Sequence, residues 1–309
     1  MIYSLTIAPS IDYTLYMGEG EIRLGWTNRP ISKGFTLGGK GVTVSRMLSN
    51  LKVDSIPIVA IGGNIGEGIK KMTDGYFKKV IYLPTKTESR LDVMITGTRI
   101  DTRFDPPAPK VTEEGLEKLK TYLKKNLKKG DVLILSGSLG QDDKDLYADL
   151  MRDYCEPVGA TVFLDTVNVS LIDALPFHPY MIKPNQEELA DILKKDINTT
   201  EDILAGGEEL KSKGPHSVMV TLGSHGAYYF AENGHIYHCS NATGKQISPV
   251  GAGDSSIAGF IKGYTEGKSM EEILQYSMAA GGATAFSEGL GDYDLWKSLI
   301  PQIKVTLVK

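Results

Sequence analysis

Five short apolar runs set the strongest constraint on this chain: "SIPIVAIGG", "DVLILSGS", "TVFLDT", "YMIKPN" and "SVMVTLGS". Each is β-branched, closes on a turn, and is followed by a segment of helical period. A strand that is apolar on both faces must be covered on both. Helices between successive strands provide that cover, so the pattern predicts an α/β fold built on a parallel sheet. The opening "MIYSLTIAPSID" lacks a basic region followed by a long apolar core, so it reads as a first β-strand and not as a signal peptide. No internal repeat, low-complexity linker or composition break divides the chain. Residues 1–309 are therefore read as one domain.

Two stretches break the alternation. Residues 13–37 and 88–105 carry hairpin-like patterns without helical periodicity. They predict a small β-sheet beside the core, acting as a lid or a dimer contact; an edge meander without a role is the plainer reading. Two separate insertions of like character favour the lid. The lysine-dense "LEKLKTYLKKNLKKG" places Leu116, Leu119, Leu123 and Leu127 on one helical face, so its lysines lie on the solvated side. With a formal net charge of −4, that leaves no general pull toward nucleic acid or anionic membrane. No apolar run approaches the ~20 residues of a membrane span. Cys155 and Cys239, the two cysteines, suit a reducing cytoplasm.

Ligands of open parallel sheets sit beyond the carboxyl ends of the strands, and four turns fall there. In "QISPVGAGDSSIAGFIKGY", Gly251, Ala252 and Gly253 expose backbone N–H groups at the start of a helix expected over 255–266. That corner suits an anion. Asp254 beside an anion is repelled as a binder but suits a base that accepts a proton from an attacking hydroxyl; an aspartate of ordinary pKa is adequate for this. The competing reading makes Asp254 the helix N-cap. In "LGGKGVTVSRML", Gly34, Gly39 and Lys40 have Walker spacing, but position 41 is Gly where a magnesium-holding Ser or Thr belongs, so the P-loop reading is rejected. A backbone-exposing turn before a helix over 42–50 remains, with Lys40 as a ligand contact or an exposed loop lysine. In "KPNQEEL", Asn185 and Glu188 form a capping-box pattern, or an amide and a carboxylate that reach magnesium through water. In "VTLGSHGAYYF", Gly223, Ser224, His225 and Gly226 make a turn between strands, against which a nucleotide could lie. "HIYHCS" gives no metal site, because strand alternation separates His235 from His238.

The order of these motifs is more specific than any one of them. "TIAPSID", "LGGKG", "SR", "SGS", "KPNQEEL", "VTLGSHG" and "VGAGDS" resemble, from about residue 5 to about 291, the ribokinase-like (PfkB) carbohydrate kinases. "PSIDYTL", "NRP" at 28–30 and Arg90 resemble the phosphosugar branch, 1-phosphofructokinase and tagatose-6-phosphate kinase. The resemblance implies a three-layer sandwich, a β-sheet lid that often pairs with a second subunit in a homodimer, and transfer of the ATP γ-phosphate with Mg2+. It implies Asp254 as the base, with Gly251, Ala252 and Gly253 as the anion hole. Asp12, Gly38, Gly39, Lys40, Thr43, Arg90, Arg103 and Ser138 fall on the sugar side, with Arg90 gripping an existing phosphate. Lys183, Asn185, Thr221, Gly223, Ser224 and Gly226 fall on the nucleotide side. Asn185 and Glu188 would hold hydrated magnesium.

The departures concentrate on the sugar side. Ala8 and Thr43 stand where the family usually has Asn, as do Asp92 and Asp105 in the lid. Two added negative charges should weaken a phosphosugar's binding unless Arg90, Arg103 or Lys40 offsets them. "SGSLGQDD" also lacks the family's Pro-Pro-Gly turn. The expected activity is an ATP-dependent kinase of a phosphorylated ketohexose, fructose 1-phosphate before tagatose 6-phosphate. Arg90 argues against an unphosphorylated sugar or nucleoside as acceptor. Intact Asp254, Gly251 and Gly253 argue against a non-catalytic sugar-binding regulator.

Overall fold

A computed structural model describes residues 1–19, 22–98, 100–140, 143–166 and 168–309. The readings that touch Gly20, Glu21 and Arg99 in the inserted stretches, and Gln141 and Asp142 in "SGSLGQDD", lie outside the described residues. The chain begins β1 (Ile2–Thr6), β2 (Ser10–Tyr16), β3 (Ser32–Gly38), α1 (Lys40–Asn50), β4 (Ile56–Ile61) and α2 (Gly63–Asp74). It continues through β5 (Ile81–Pro84), β6 (Arg90–Gly97), β7 (Ile100–Phe104), α3 (Glu113–Asn126), β8 (Val132–Ser136), α4 (Leu146–Leu150), β9 (Thr161–Asp165) and α5 (Asn168–Ala174). The last third holds β10 (Met181–Ile182), α6 (Gln186–Leu193), α7 (Thr200–Ser212), β11 (Ser217–Thr221), β12 (Ala227–Phe230) and β13 (Ile236–Cys239). It ends with α8 (Ala252–Thr265), α9 (Met270–Ala285), α10 (Tyr293–Leu299) and β14 (Val305–Leu307).

Ten of these strands form one sheet in the order β14-β13-β12-β11-β10-β9-β8-β1-β4-β5. Pairing is parallel from β11 to β5 and antiparallel from β11 to β14. All five apolar runs lie in it, but the last, β11, is followed by the antiparallel strand β12 and not by the helical segment expected from sequence. Alternation along the strands splits the core in two. Leu133, Leu135, Val162 and Leu164 pack on the face carrying Leu119, Leu123 and Leu189. Val132, Ile134 and Phe163 pack on the face carrying Val44, Ile257 and Phe260. The result is three layers, sheet between helices. Each fully buried side chain of this kind contributes roughly 1.5–3 kcal/mol. Leu119 and Leu123 are buried, so the solvated-lysine reading of α3 holds.

The inserted stretches meet in a second, four-stranded sheet, β3-β2-β6-β7. Its register sets Ser10 and Asp12 of β2 opposite Arg90 and Asp92 of β6, and Met94 of β6 opposite Arg103 of β7. Alternation therefore puts Ser10, Asp12, Arg90, Asp92 and Arg103 on one face. Tyr13, stacked on Phe35 with ring centroids 4.5 Å apart, takes the other face.

One packing contact fixes where the site lies. Helices α8 and α9 approach backbone to backbone: a Cβ on Gly259 would stand 2.3 Å from the Tyr276 carbonyl oxygen, and one on Gly263 would stand 3.0 Å from Ile273 Cα. Only glycine allows that separation. Gly259→Ala should destabilise the protein by about 1–3 kcal/mol through overpacking against rigid backbone. A urea unfolding curve would show a lowered midpoint at unchanged slope, and an unmoved midpoint would mean that the helices separate freely.

Candidate active site

Helix α8 starts at Ala252, three residues before the start expected from sequence, because Gly251 adopts the left-handed conformation (φ 80°) and caps it without a side chain. A glycine reaches that φ without Cβ strain. Asp254 therefore lies inside the first turn and is not the N-cap, so the plain capping reading is excluded. The bond pattern separates the N–H groups of the expected anion hole. Ala252 N–H donates to the Pro249 carbonyl at 3.2 Å, while among the described residues no internal acceptor meets the N–H groups of Gly251, Gly253 or Asp254. Three bare donors at the positive end of a helix attract negative charge.

Helix α1 starts at Lys40, two residues earlier than the expected 42, with Gly39 as its cap. Lys40 is no exposed loop residue. Its ammonium donates to Asp165 Oδ2 at 3.2 Å, and Lys183 Nζ lies 3.8 Å from Asp165 Oδ1. Asp165 is 3% exposed and Lys183 7%, so one buried carboxylate ties two lysines from different segments. Asp165 was missed from sequence. Its signal was there: a charged residue ending the apolar strand "TVFLD", at the carboxyl edge of the sheet where ligands bind. Alternation along β9 aims its side chain at the layer of α1 and α8.

These charges act on Asp254. Burial, then the nearby Asp165 carboxylate, push its pKa up to about 7, against the pull of Lys40 and Lys183. An ordinary aspartate pKa would be adequate for a base here; the position instead brings it near neutrality, the range in which a group both holds and releases a proton readily. Asp165 moves the other way: burial opposes its charge, but Lys183 and Lys40 hold it below the usual carboxylate range. Burial also opposes the charge on Lys40, yet Asp165, Asp254 and Glu188 keep its ammonium above its ordinary value.

The other expected residues fall around this centre. Asn185 and Glu188 complete a reciprocal capping box, with N–H···O distances of 2.8 Å in both directions. Asn185 bridges Thr221 as a short parallel pair, which sets the 183–188 and 221–226 segments side by side. In the second segment Gly223 and Ser224 are exposed while Gly226 is buried, and Asn241 donates to the Gly223 carbonyl at 2.7 Å. Thr43 is buried on α1; its methyl would stand 3.4 Å from a Cβ on Gly251. Ser138 is exposed beyond β8, and among the described residues no hydrogen bond or ion pair joins it to the cluster.

On the second sheet, Asp12 accepts from Ser10 Oγ at 2.6 Å, and burial raises its carboxyl pKa. A Cβ on Gly38 would stand 2.3 Å from Asp12 Oδ1. Gly38 leads into Gly39 and Lys40, so the polar face of this sheet runs directly into the start of α1. Arg90 donates to Asp92 through Nε (3.0 Å) and Nη2 (2.7 Å). Arg103 donates through Nη2 to Asp92 at 2.9 Å and through Nε to Asp105 at 2.5 Å. The extra carboxylates are thus offset, and by the two arginines themselves.

Comparison with known proteins gives this arrangement a setting. The model of the pfkB family of carbohydrate kinases matches residues 9–297. The chain is 31% identical over 309 residues to a 1-phosphofructokinase of Bacillus subtilis, covering 99% of each. It is 31% identical over 311 residues to a D-tagatose-1-phosphate kinase of Bacillus licheniformis, again covering 99% of each. Among solved structures, phosphofructokinase-2 of Escherichia coli superposes with a TM-score of 0.89 at 24% identity, over 97% of this chain and 98% of that one.

Four outcomes are expected. Only the carboxylate form of Asp254 can accept a proton, and that form grows as pH rises. The rate should therefore climb about tenfold per pH unit up to about 7 and level off above it. Asp254→Asn should lower kcat by about 10²–10⁴ and abolish this limb; a loss under about tenfold would remove Asp254 from the chemistry. Asp165→Asn leaves two lysines facing no carboxylate between them. It should cost toward the lower end of about 3–5 kcal/mol, because Lys40 is half open to water. The same change should move the acid limb to lower pH, which a kcat/KM profile would reveal.

Proposed function

The chain belongs to the pfkB family of carbohydrate kinases, and from that premise we propose that it moves the γ-phosphoryl group of ATP onto a hydroxyl of a phosphorylated ketohexose, fructose 1-phosphate first. One observation carries the reading: a carboxyl group whose pKa is pushed up to about 7 stands in the first turn of a helix where the N–H groups of Gly251, Gly253 and Asp254 meet no internal acceptor among the described residues. Asp254 takes the proton of the attacking hydroxyl. The N–H groups of Gly251, Gly253 and Asp254, with the dipole of α8, stabilise charge on the migrating phosphoryl group. Lys40 and Lys183, fixed by Asp165, offset negative charge nearby. Asp12 reads sugar hydroxyls, its carboxyl held in place by Ser10.

The second sheet serves as a lid over the acceptor, its polar face joined to the start of α1. ATP lies along the 221–226 turn. The hard oxygen donors of Asn185 and Glu188 suit a hydrated magnesium ion. One Glu188 oxygen is spent on the cap, the other is left for a water, and Asn185 Oδ1 keeps a second lone pair. Magnesium, when bound, neutralises phosphate charge. The outer lid face exposes Phe35 and Phe104, each 57%, which supports a homodimer through that face. No helix among the described residues is long and apolar enough to cross a membrane, and free, buried Cys155 and Cys239 suit the cytoplasm.

A tagatose phosphate is the second acceptor, since one relative of equal identity is named for it. ADP release measured over a panel of fructose and tagatose phosphates, free sugars and nucleosides decides the matter. Fructose 1-phosphate should give the highest kcat/KM. A free sugar or nucleoside exceeding every phosphosugar would overturn the reading. Phe35→Glu with Phe104→Glu should convert a dimer to a monomer in sedimentation velocity; a chain already monomeric would refute the lid interface.

A further inference from the structure

Two guanidinium groups face the acceptor side of the lid, and neither presents its preferred edge. A phosphate is gripped best by the parallel N–H pair from Nε and one terminal nitrogen. In Arg90 that pair is closed on both oxygens of Asp92, at 3.0 and 2.7 Å. In Arg103 the same pair is split between Asp92 and Asp105, at 2.9 and 2.5 Å. Arg90 Nη2 also stands 3.6 Å from Asp105. Asp92 is the hub of this arrangement. It is 1% exposed, beside Arg90 at 13%, while Arg103 and Asp105 open to water at 39% and 46%.

Register adds a third carboxylate. Asp12 stands directly opposite Asp92 on the neighbouring strand, on the same face. Asp12, Asp92 and Asp105 thus share this face with Arg90 and Arg103, three acids against two bases. Lys40, the next cation toward the centre, is engaged by Asp165. An acceptor phosphate arriving here competes with an internal carboxylate that already fills its place on the guanidinium.

We propose that Asp92 sets how strongly the lid takes an acceptor's phosphate, by occupying the phosphate-gripping edges of Arg90 and Arg103 from within the sheet. It is a positioning residue that acts through the arginines and tunes specificity between phosphorylated and neutral polyols. The identity of the acceptor as a phosphosugar rests on the function proposed above; the competition itself does not. With Asp92 in place, binding of a phosphorylated acceptor is weak relative to the cation content of the lid. Selectivity over an unphosphorylated sugar is correspondingly modest.

Asp92→Asn keeps the shape and removes the charge. It should lower KM for the best phosphosugar by about tenfold, a change worth ~1.4 kcal/mol, with the effect in KM and kcat within about threefold. The KM of the matching free sugar should stay put, a split that a merely structural role would not produce. Calorimetric titration with inorganic phosphate, at saturating non-hydrolysable ATP analogue to fill the anion hole, should show the same tightening without any turnover. Adding Arg90→Ala and Arg103→Ala together to Asp92→Asn should erase the gain. Asp105→Asn, at a more open position, should shift phosphate binding the same way by a smaller factor, and carries the test if Asp92→Asn does not fold. Unchanged or weaker phosphate binding in the folded variant, or a gain that survives loss of both Arg90 and Arg103, would overturn the proposal. A chain that phosphorylates no phosphosugar but tightens on phosphate in Asp92→Asn would refute the proposed acceptor and leave the competition standing.

Discussion

A carboxylate held between two lysines organises this molecule's centre. Asp165 ends β9, Lys40 opens α1 and Lys183 follows β10, so the triad ties three separately built parts of the chain at the carboxyl edge of the sheet. Burying such charges costs several kcal/mol per ion, and mutual attraction recovers that only where the geometry is good. The return here is placement. The same fields that hold Asp165 ionised act on Asp254, whose neutral and charged forms come close to balance. Two aspartates a short distance apart are thus driven in opposite directions, one kept as a permanent anion and the other made exchangeable.

Much of this was legible in the sequence, for identifiable reasons. The β-branched runs carry their burial on both sides, so the parallel sheet and its two helical covers followed from alternation and spacing. The hairpin-like insertions lacked helical period, and their strands do form a separate sheet. Asp254 was found because glycines before a helix expose amides. The helix start was misjudged because a glycine cap leaves no side-chain signature, and the position of Gly251 shows only in its φ. Ala252 was grouped with its neighbours for the same reason: which N–H is spent on Pro249 depends on how the loop turns.

Asp165 and the arginine–aspartate network were beyond a linear reading for a different reason. Their chemistry arises from long-range register. Lys40 and Asp165 are 125 positions apart; Asp12 meets Asp92 only because β2 and β6 pair in parallel. Two acids in the inserted strands, seen one at a time, read as repulsion toward a phosphate. Seen with their partners they are counter-ions to Arg90 and Arg103.

That β2–β6 pairing has a mechanical side. The small sheet is stitched from two excursions, and each excursion leaves the core and returns to it, so the sheet stands on four feet. Four attachments hold such a sheet to the core where a single hairpin has two. One foot is the pair Gly38–Gly39, immediately before Lys40, and Gly39 takes a φ of 103° that few other residues tolerate. The first peptide of α1, and with it the Lys40 ammonium held by Asp165, therefore takes its position from where the small sheet is set on the core.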